Sequence, residues 1–403
     1  MLINRLDYFN KLLGYKDKKI IKVITGVRRC GKSTLLQLYK DYLFNNGIDS
    51  KQVISINFED YKYYDLLDTK ALHTYIDERI IENEKMYIFL DEIQNVKDYQ
   101  RVVNSFYLND QVDIYMTGSN SYMLSGELAT LLTGRYVQID MLPFSFSEFV
   151  EINGYGDNIE RAYQRYIETS SFPYAFQLDY ELSQVSDYLK SLYNTIVLKD
   201  IVARKNISDV MMLESVLRFL ADNTGNILST KKISDTMASD GRPINVRTVE
   251  SYINAFIESY IVYQVKRYDI KGKQYLKTLE KYYLVDIGLR NTMLGTSSGR
   301  DVGHILENIV FLELLRRGYD LYIGKVENLE IDFIAKNSHE VKYIQVAASV
   351  RDSRTLEREI RPLQKIQNNY PKCIMTLDQD PVADFDGIKK FNVLDYLMKK
   401  IDF

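Results

Sequence analysis

The chain contains 403 residues, and its 46% hydrophobic and 27% charged residues are ordinary for a globular protein of roughly two to four domains. Its net charge of −3 excludes a global basic field, so any nucleic-acid-binding surface has to be local. Two cysteines exclude a disulfide framework, three histidines argue against a histidine-built metal site, and the lack of a long apolar run or a signal-peptide pattern predicts a cytoplasmic protein with no membrane span.

The first motif lies between an apolar run and a helical one. Residues 20–25 are apolar and β-branched, which is typical of a buried strand, and residues 34–43 have apolar side chains at helical spacing. Between them the chain reads Gly-Val-Arg-Arg-Cys-Gly-Lys-Ser, the pattern of a phosphate-binding loop, or Walker A motif. A strand, a tight loop and a helix N-terminus direct several backbone N–H groups at an anion. We therefore predict nucleotide binding at Gly26, Val27, Arg28, Arg29, Cys30, Gly31, Lys32, Ser33 and Thr34.

The residue types in this loop indicate ATP and Mg²⁺ as cofactors. Gly26 and Gly31 permit the turn and the close approach of the backbone to phosphate. Lys32 is expected to reach the β- and γ-phosphates, and the Ser33 hydroxyl to ligate Mg²⁺. The alternative is a chance match in an ordinary strand-to-helix turn.

A second acidic motif follows some 60 residues later. After a strand candidate at residues 53–58 and a helix candidate at 68–82, an apolar run from Met86 ends in Asp91 and Glu92. This is typical of a Walker B site, in which Asp91 holds Mg²⁺ through water and Glu92 orients or deprotonates the attacking water. The alternative is a strand that ends in an acidic helix cap.

Two further candidates follow on the next strands. Residues 112–117 predict a fourth strand, and the polar Ser119 and Asn120 after it are expected beside the Asp91 strand end, where they would sense the γ-phosphate. The alternative is that they cap a helix at residues 121–132. A fifth strand begins near Gly134, and Arg135 is a candidate for stabilising transition-state charge, in cis or across a subunit contact. The alternative for Arg135 is pairing with a nearby carboxylate.

These motifs together resemble the AAA+/STAND-type ATPases over about residues 1–150. The resemblance is closest to bacterial and archaeal ATPases with Thr-Gly-Ser at the fourth strand and Leu-x-Gly-Arg before the fifth. Here Leu-Thr-Gly-Arg stands at residues 132–135, and Leu-Pro-Phe-Ser-Phe-Ser-Glu-Phe at 142–149 matches that group's segment leaving the core. The resemblance implies an α/β fold with a P-loop NTPase core built on a parallel sheet.

The middle of the chain predicts a helical lid at residues 151–205 and a winged helix-turn-helix at 206–285. In the lid, Ser-Ser-Phe-Pro-Tyr at residues 170–174 resembles a Gly-Gly-Phe-Pro turn of the same family, with serine replacing both glycines. Three helix candidates at 211–222, 229–238 and 245–259 precede a hairpin of residues 261–268 and 274–285. DNA contact through the third helix and the wing is the functional interpretation, and a protein-interaction scaffold is the alternative. The expected basic rim consists of Arg242, Arg247, Lys266, Lys271, Lys273 and Lys277.

Residues 286–403 predict a restriction-endonuclease-like α/β domain. Glu307 on a helix, Asp332 on a strand and Gln345 on the next strand resemble the acid and Gln positions of PD-(D/E)XK nucleases. In that fold a lysine positions the attacking water, but Ala347 stands in its place, so nuclease activity is not expected. The alternatives for the acids are a metal site, or pairing with Arg316, Lys325 or other nearby cations.

The sequence thus predicts a Mg²⁺-dependent ATPase that couples its nucleotide state to a partner. DNA is the candidate partner, through the winged helix and the C-terminal domain, and a protein partner or a homo-oligomer is the other candidate. The alternative function is a nucleotide-dependent switch or scaffold with little turnover. The Asp91-Glu92 pair favours hydrolysis.

Overall fold

The computed structural model describes residues 5–121, 132, 134–272, 274, 275, 279–295 and 301–403. The helix expected at 121–132, Thr133, and the rim residues Lys273 and Lys277 lie outside these residues, apart from the ends of that helix. The chain divides into two compact units, Met1–Pro143 with Glu258–Tyr260, and Phe144–Ile257 with Ile261–Phe403. Every helix among the described residues is too short or too polar to span a bilayer.

The first unit alternates strands with helices. Its strands are β1 (Ile21–Thr25), β2 (Val53–Asn57), β3 (Met86–Asp91), β4 (Val112–Gly118) and β5 (Tyr136–Asp140). Its helices are α1 (Leu6–Gly14), α2 (Lys32–Asn45), α3 (Thr69–Asp77) and α4 (Tyr99–Tyr107), with short 3-10 turns at Ser50–Gln52, Tyr61–Leu67 and Ile93–Asn95.

The predicted parallel sheet is confirmed, with the strand order β2-β3-β4-β1-β5. Each neighbouring pair is parallel. All residues of β1, β3 and β4 are buried, because a parallel sheet of this class is covered on both faces and its strands are apolar throughout. The carboxyl ends of all five strands therefore lie at one edge, where the loops after β1, β3 and β4 meet.

A buried polar network crosses this sheet. The apolar sequence pattern of the strands did not predict it. Lys22 of β1 is fully buried and pairs with Asp113 of β4. Asp113 also accepts a hydrogen bond from the Tyr115 hydroxyl (2.8 Å), which lies 2.9 Å from the Tyr39 hydroxyl of α2. Because a buried ammonium without partners is strongly destabilising, these contacts fix β1 to β4.

The second unit begins with a helical segment at residues 146–258. The helices are α5 (Phe146–Asn153), α6 (Ile159–Glu168), α7 (Pro173–Gln177), α8 (Leu182–Asn194), α9 (Ala203–Lys205), α10 (Val210–Asp222), α11 (Thr230–Ser239) and α12 (Val246–Glu258). A π-helical stretch, Thr195–Val202, joins α8 to α9.

The two serines that replace glycines near α7 have a structural function of their own. Neither has a positive φ, so the turn does not require glycine there. The Asp286 carboxylate accepts hydrogen bonds from the Ser170 hydroxyl (3.1 Å), the Ser171 N–H (2.7 Å) and the Ser171 hydroxyl (2.6 Å). It also caps the following helix through the Leu289 N–H (2.6 Å). The serines therefore join this turn to residues more than 100 positions away.

The predicted wing is divided between two sheets. The strands are β6 (Val262–Val265), β7 (Arg267–Asp269), β8 (Gln274–Tyr275) and β9 (Lys281–Leu284). β6 pairs with β9, whereas β7 pairs with β8 and also runs parallel to β10 (Asp320–Val326) of the C-terminal sheet. A strand edge left unpaired is a ready template for another strand. The two segments predicted as a hairpin do pair with each other, β6 with β9 and β7 with β8, and the outer half of that hairpin also extends the C-terminal sheet.

The C-terminal sheet is mixed, in the order β14-β15-β13-β12-β11-β10-β7-β8. Its remaining strands are β10 (Asp320–Val326), β11 (Leu329–Lys336), β12 (Val341–Ala347), β13 (Lys372–Thr376), β14 (Ala383–Phe385) and β15 (Ile388–Asn392). The helices of this part are α13 (Ile287–Leu294), α14 (Val302–Arg316), α15 (Ser353–Gln364) and α16 (Val393–Leu397). The last two strands and α16 were not predicted.

Candidate functional site

The loop between β1 and α2 has a positive φ at both of its glycines and leaves no room for a side chain at Gly26. Gly26 has a φ of +145° and Gly31 a φ of +107°. A Cβ atom on Gly26 would lie 2.1 Å from the carbonyl oxygen of Met141. The first turn of α2 begins at Lys32, so its free N–H groups border the loop and suit an anion.

Lys32 lies inside this loop rather than in solvent. Its ammonium donates hydrogen bonds to the carbonyl oxygens of Gly26 (3.0 Å) and Val27 (3.2 Å). It also lies 3.7 Å from Glu92 Oε1. Only 4% of the residue is exposed, so its charge acts with little screening on whatever enters the loop.

Asp91 lies beside Ser33, the other predicted magnesium ligand. The Thr117 hydroxyl of β4 donates a hydrogen bond to Asp91 Oδ1 (2.5 Å). Burial raises the pKa of Asp91, while hydrogen bonds from Thr117 and Ser33 oppose that rise. A hydroxyl and a carboxylate in contact are hard oxygen donors of the kind Mg²⁺ prefers, and Mg²⁺ takes few protein ligands when phosphates and waters complete its shell.

Glu92 is held in an ionised form next to Lys32. Burial alone raises the pKa of Glu92, but Lys32, a hydrogen bond from Gln94 and the charge of Arg28 outweigh burial, so the pKa lies below its ordinary value. Its backbone has a left-handed φ of +55°, and its N–H donates to the Thr117 hydroxyl (2.9 Å). An ionised carboxylate at this edge is able to accept a proton from water.

The polar residues after β4 lie at the same edge. Ser119 and Asn120 are each 1% exposed, and the Ser119 hydroxyl accepts a hydrogen bond from Gln94 Nε2 (3.3 Å). Gln94 thereby joins the segment after β4 to Glu92. Sequence reasoning missed Gln94, although its place two residues after Glu92 was a usable signal. The alternative, that Ser119 and Asn120 cap a helix at residues 121–132, concerns a helix that lies outside the described residues except for its ends.

Two arginines, one within the loop and one before it in the chain, make contacts that position the loop. Arg28 donates a hydrogen bond to Glu59, just after β2, at 2.7 Å. Arg5, which is 3% exposed, donates to the carbonyl oxygens of Cys30 (3.1 Å) and Leu142 (2.7 Å). Arg5 was not predicted, because no local pattern relates it to a loop 25 residues away.

Arg135 lies at the opposite edge of the sheet from the phosphate loop. β5 runs parallel to β1 with Tyr136 beside Ile21, so Arg135 is level with the start of β1, and its guanidinium donates to Asn104 Oδ1. About five strand residues, at roughly 3.3 Å each, separate this edge from the loop. The prediction that Arg135 acts on the nucleotide in cis is therefore wrong, and its partner is an amide rather than a carboxylate.

The basic rim predicted for the winged helix is only partly available. Arg242 donates a hydrogen bond to the Ser215 hydroxyl (2.7 Å), and Lys271 pairs with Glu327 (2.7 Å). Arg247 on α12 and Lys266 after β6 are exposed. These two cations are the better candidates for contacts with a phosphate backbone.

Lys281 of β9 lies among the C-terminal acids. Its Nζ is 2.7 Å from Glu307 Oε1, 2.7 Å from Glu330 Oε1 and 3.2 Å from Asp332 Oδ1. Burial lowers the pKa of a lysine, but Glu307 and the other neighbouring acids raise the pKa of Lys281 well above its ordinary value. The acids thus pair with Lys281 and not with Arg316 or Lys325. Among the described residues no group of three His, Cys, Asp or Glu side chains is arranged to hold a metal ion.

Gln345 is held beside this cluster. Its Oε1 accepts a hydrogen bond from the Asp332 N–H (3.3 Å), and its Nε2 donates to Glu359 (2.7 Å). Glu307, Asp332 and Gln345 are therefore brought together as predicted. Arg351, which follows β12, pairs with Asp380 (3.2 Å).

The chain matches two family models. Residues 18–150 match a model described as an AAA domain, and residues 160–300 match one described as a domain of unknown function. An uncharacterized protein from Haemophilus influenzae is 40% identical over 402 residues, which cover 99% of both chains. An uncharacterized protein from Methanocaldococcus jannaschii is 30% identical over 381 residues, which cover 90% of this chain and 81% of that protein.

Solved structures show a weaker likeness. DnaA from Aquifex aeolicus with bound AMPPCP has a TM-score of 0.31 and 15% identity, and the match covers 63% of this chain and 88% of that one. The Aeropyrum pernix ORC1 protein in complex with DNA has a TM-score of 0.29 and 14% identity, with coverage of 73% and 92%. Both scores are low, and the ligands of those two structures are properties of those proteins.

Proposed function

We propose that this chain, which belongs to the same family as the Haemophilus influenzae and Methanocaldococcus jannaschii proteins and contains a nucleotide-binding AAA domain, is a magnesium-dependent ATPase. One observation carries the proposal, namely that four functional side chains are grouped at one edge of the sheet. Lys32 lies 3.7 Å from Glu92, and Asp91 contacts Ser33 at the same sheet edge. A phosphate-neutralising cation, a pair of oxygen donors for Mg²⁺ and an ionised base are the groups that phosphoryl transfer to water requires.

Each side chain has a distinct part in the proposed reaction. Lys32 and the N–H groups of the loop bind the β- and γ-phosphates. Ser33 and Asp91 would hold Mg²⁺, which would supply positive charge to neutralise the phosphates. Glu92 accepts a proton from the attacking water and directs that water at the γ-phosphorus, and ADP and phosphate are released. Asn120, beside Ser119, senses the γ-phosphate.

Replacing Lys32 tests the site assignment. Lys32→Ala removes the buried ammonium, so ATP affinity or turnover should fall by about an order of magnitude or more. Lys51→Ala, an exposed lysine of the same unit, is the matched control and should leave both unchanged. Fluorescent ATP-analogue binding and phosphate release measure the two quantities. Unchanged affinity and rate in Lys32→Ala would remove the loop from the account. Binding without turnover in the wild-type protein would favour the nucleotide-dependent switch.

DNA is the partner we propose for the second unit. Exposed Arg247 and Lys266, on a three-helix segment with a β6–β9 strand pair, support contact through a winged helix. Phosphate contacts release counterions, so affinity for duplex DNA should fall steeply with salt, and Arg247→Ala should reduce the salt slope by about 1. Lys389→Ala, exposed on β15, is the control. The absence of a duplex complex at low salt would favour a protein partner.

A homo-oligomer is the remaining part of the proposal. Because Arg135 is at the far edge of its own sheet, it would act on a nucleotide only in a second copy of the chain. Light scattering with and without Mg-ATP measures assembly. If Arg135→Ala leaves both assembly and turnover unchanged, Arg135 serves only its contact with Asn104.

A further inference from the structure

A cavity of about 650 Å³ lies in the second unit, against β7, β10, β11 and β12 and the segment that follows α15. Its volume is in the range of small-molecule sites, roughly 300–1,000 Å³. It shares no lining residue with the cluster around Lys281. Neither the ATPase proposal nor the nuclease resemblance assigns it a ligand.

Tyrosine rings dominate the cavity wall. Four of its fourteen lining residues are tyrosines, whereas the whole chain has 33 in 403, so the enrichment exceeds the compositional bias. Tyr268 and Tyr322 have ring centroids 6.3 Å apart, and Tyr343 and Tyr370 have centroids 6.4 Å apart. Asn368 fixes the Tyr343 hydroxyl with a hydrogen bond of 2.9 Å. Tyr343 is buried, whereas Tyr370 is 50% exposed, so Tyr370 is the aromatic surface on which a planar ring is able to stack.

Lysines add positive charge to the same cavity. Lys271, Lys336 and Lys365 line it. Glu327 pairs with Lys271 (2.7 Å) and approaches Lys365 (3.8 Å), so one carboxylate is shared by two ammonium groups. Lys336 is exposed and has no ion-pair partner among the residues that the structure describes. With Glu327 beside two of these lysines and Asp320 opposite Lys336 on the neighbouring strand, three cations and two anions leave a local excess of positive charge that suits a phosphate.

We propose that this cavity binds a nucleotide unit, with the base stacked on tyrosine and the phosphate held by lysine. The unit comes from single-stranded nucleic acid or from a free nucleotide. Lys271 follows β7, in the outer half of the segment predicted as a wing. The inference rests on the proposed nucleic-acid contact and deepens it, by adding a site for unpaired bases to the duplex contact through Arg247.

Stacking and charge make separate predictions for this site. Tyr370→Ala removes the aromatic face on which the base stacks, so it should weaken binding roughly tenfold. Tyr370→Phe keeps the ring and should stay within about twofold of the wild type. Each phosphate contact contributes about 0.7 to the salt slope for single strands, so Lys336→Ala should reduce the slope by about that amount. Lys389→Ala, on the same sheet, should leave the slope unchanged.

The test is fluorescence anisotropy of full-length protein with a labelled oligothymidylate that lacks a terminal phosphate, at low salt and without ATP. Thermal unfolding of each variant confirms that it folds. Thymidine monophosphate and unlabelled oligonucleotide are added as competitors at equal concentrations of nucleotide units. Competition by thymidine monophosphate would identify a free nucleotide as the ligand. Competition by the unlabelled oligonucleotide alone would identify single strands. Both outcomes support the site if Tyr370→Ala weakens binding and Tyr370→Phe restores it. If neither the oligothymidylate nor thymidine monophosphate binds, or if Tyr370→Ala binds with the affinity of the wild type, the proposal is overturned.

The experiment separates failure of this site from failure of the other proposals. The assay contains no ATP, so loss of ATP turnover in Lys32→Ala has no bearing on it. Arg247→Ala should weaken duplex binding and leave oligothymidylate binding unchanged, whereas Tyr370→Ala should do the reverse. Failure of the duplex contact and failure of the cavity are thus distinguishable.

Discussion

The hydroxyl of Thr117 donates a hydrogen bond of 2.5 Å to the carboxylate of Asp91. The same hydroxyl accepts a hydrogen bond from the Glu92 N–H at 2.9 Å. One side chain of β4 therefore orients both acidic residues at the end of β3, the one proposed to hold Mg²⁺ and the one proposed to activate water. The acids owe their geometry to the neighbouring strand as well as to their own.

Replacing Thr117 should impair turnover more than nucleotide binding. Thr117→Val keeps the shape but leaves the buried Glu92 N–H unpaired, which should lower the free energy of unfolding by about 1–3 kcal/mol. Misorientation of the acids should reduce kcat roughly 10- to 100-fold. Steady-state kinetics and denaturant unfolding measure both effects. Thr117→Ser restores the hydroxyl and is the control; a Thr117→Val protein with wild-type kcat would contradict the bridging function.

The depressed pKa of Glu92 predicts a particular pH dependence. Burial raises the pKa of Glu92, but the combined effect of Lys32, the Gln94 hydrogen bond and Arg28 is larger and lowers it. The acid limb of kcat/KM that comes from Glu92 should therefore lie below the ordinary glutamate pKa of about 4.3. Gln94→Leu removes one stabilising contact and should move this limb to higher pH. An acid limb that does not move in Gln94→Leu would exclude this carboxylate as its source.

The same shift has a sign for stability. A folded-state pKa below the unfolded one means that Glu92 stabilises the fold above the unfolded pKa, and that this contribution is lost as pH falls through the folded pKa. The free energy of unfolding of Glu92→Gln should therefore fall less between neutral and acid pH than that of the wild type. Unfolding free energies of the two proteins at neutral and acid pH measure the difference. Parallel losses in both proteins would contradict it.

Two glycines at equivalent helix positions should respond oppositely to alanine. Gly288 is the second residue of α13, and a Cβ there would lie 1.6 Å from the backbone oxygen of Thr169. Gly303 is the second residue of α14, with nothing within 4 Å of that atom. Gly288→Ala should lower stability by about 3 kcal/mol, whereas Gly303→Ala should raise it by about 0.5–1 kcal/mol. Similar unfolding midpoints for the two variants would contradict the packing of α13 described above.

The C-terminal domain should not cut DNA. Alanine stands at position 347, and the only lysine among the acids, Lys281, is already paired with Glu307, Glu330 and Asp332 in the described part of the domain. Incubation with Mg²⁺ or Mn²⁺ and plasmid, branched or single-stranded DNA should give no products. Cleavage that disappears in Asp332→Ala would contradict this prediction and show that the domain is a nuclease.

Removing Lys281 should be far more harmful than removing an exposed lysine. Lys281→Met leaves the two buried carboxylates of Glu307 and Asp332 without their cation, and loss of one partner of a buried ion pair costs about 3–5 kcal/mol. Lys389→Met, an exposed change on β15, should alter the free energy of unfolding by less than about 0.5 kcal/mol. Equal unfolding midpoints in thermal denaturation would mean that the acids are compensated by other groups.

Local patterns predicted the first unit well, because its strands are continuous apolar runs and its loop has a fixed spacing. The parallel sheet and the meeting of the loops after β1, β3 and β4 follow from those patterns. The location of Arg135 did not follow, because it depends on which strand β5 joins and in what register. A motif supplies residue types, whereas strand pairing decides which edge they reach.

Long-range contacts account for most of what sequence reasoning missed. Lys281 meets Asp332 across 51 residues, and β7 pairs with β10 across an intervening helix pair. Neither contact has a local period or spacing that marks it. Glu307, Asp332 and Gln345 were identified only through a family resemblance, which carried no information about the lysine that would lie among them.

The most direct test of ATP hydrolysis is a single-turnover experiment on Glu92→Gln. Labelled ATP and Mg²⁺ are mixed with excess protein, and bound ATP and released phosphate are followed in the same samples, with exposed Glu84→Gln as the control. The account predicts ATP affinity within about threefold of the wild type and hydrolysis slowed by about 100-fold or more. Hydrolysis by Glu92→Gln at the wild-type rate would contradict it, because Glu92 would then not be the base.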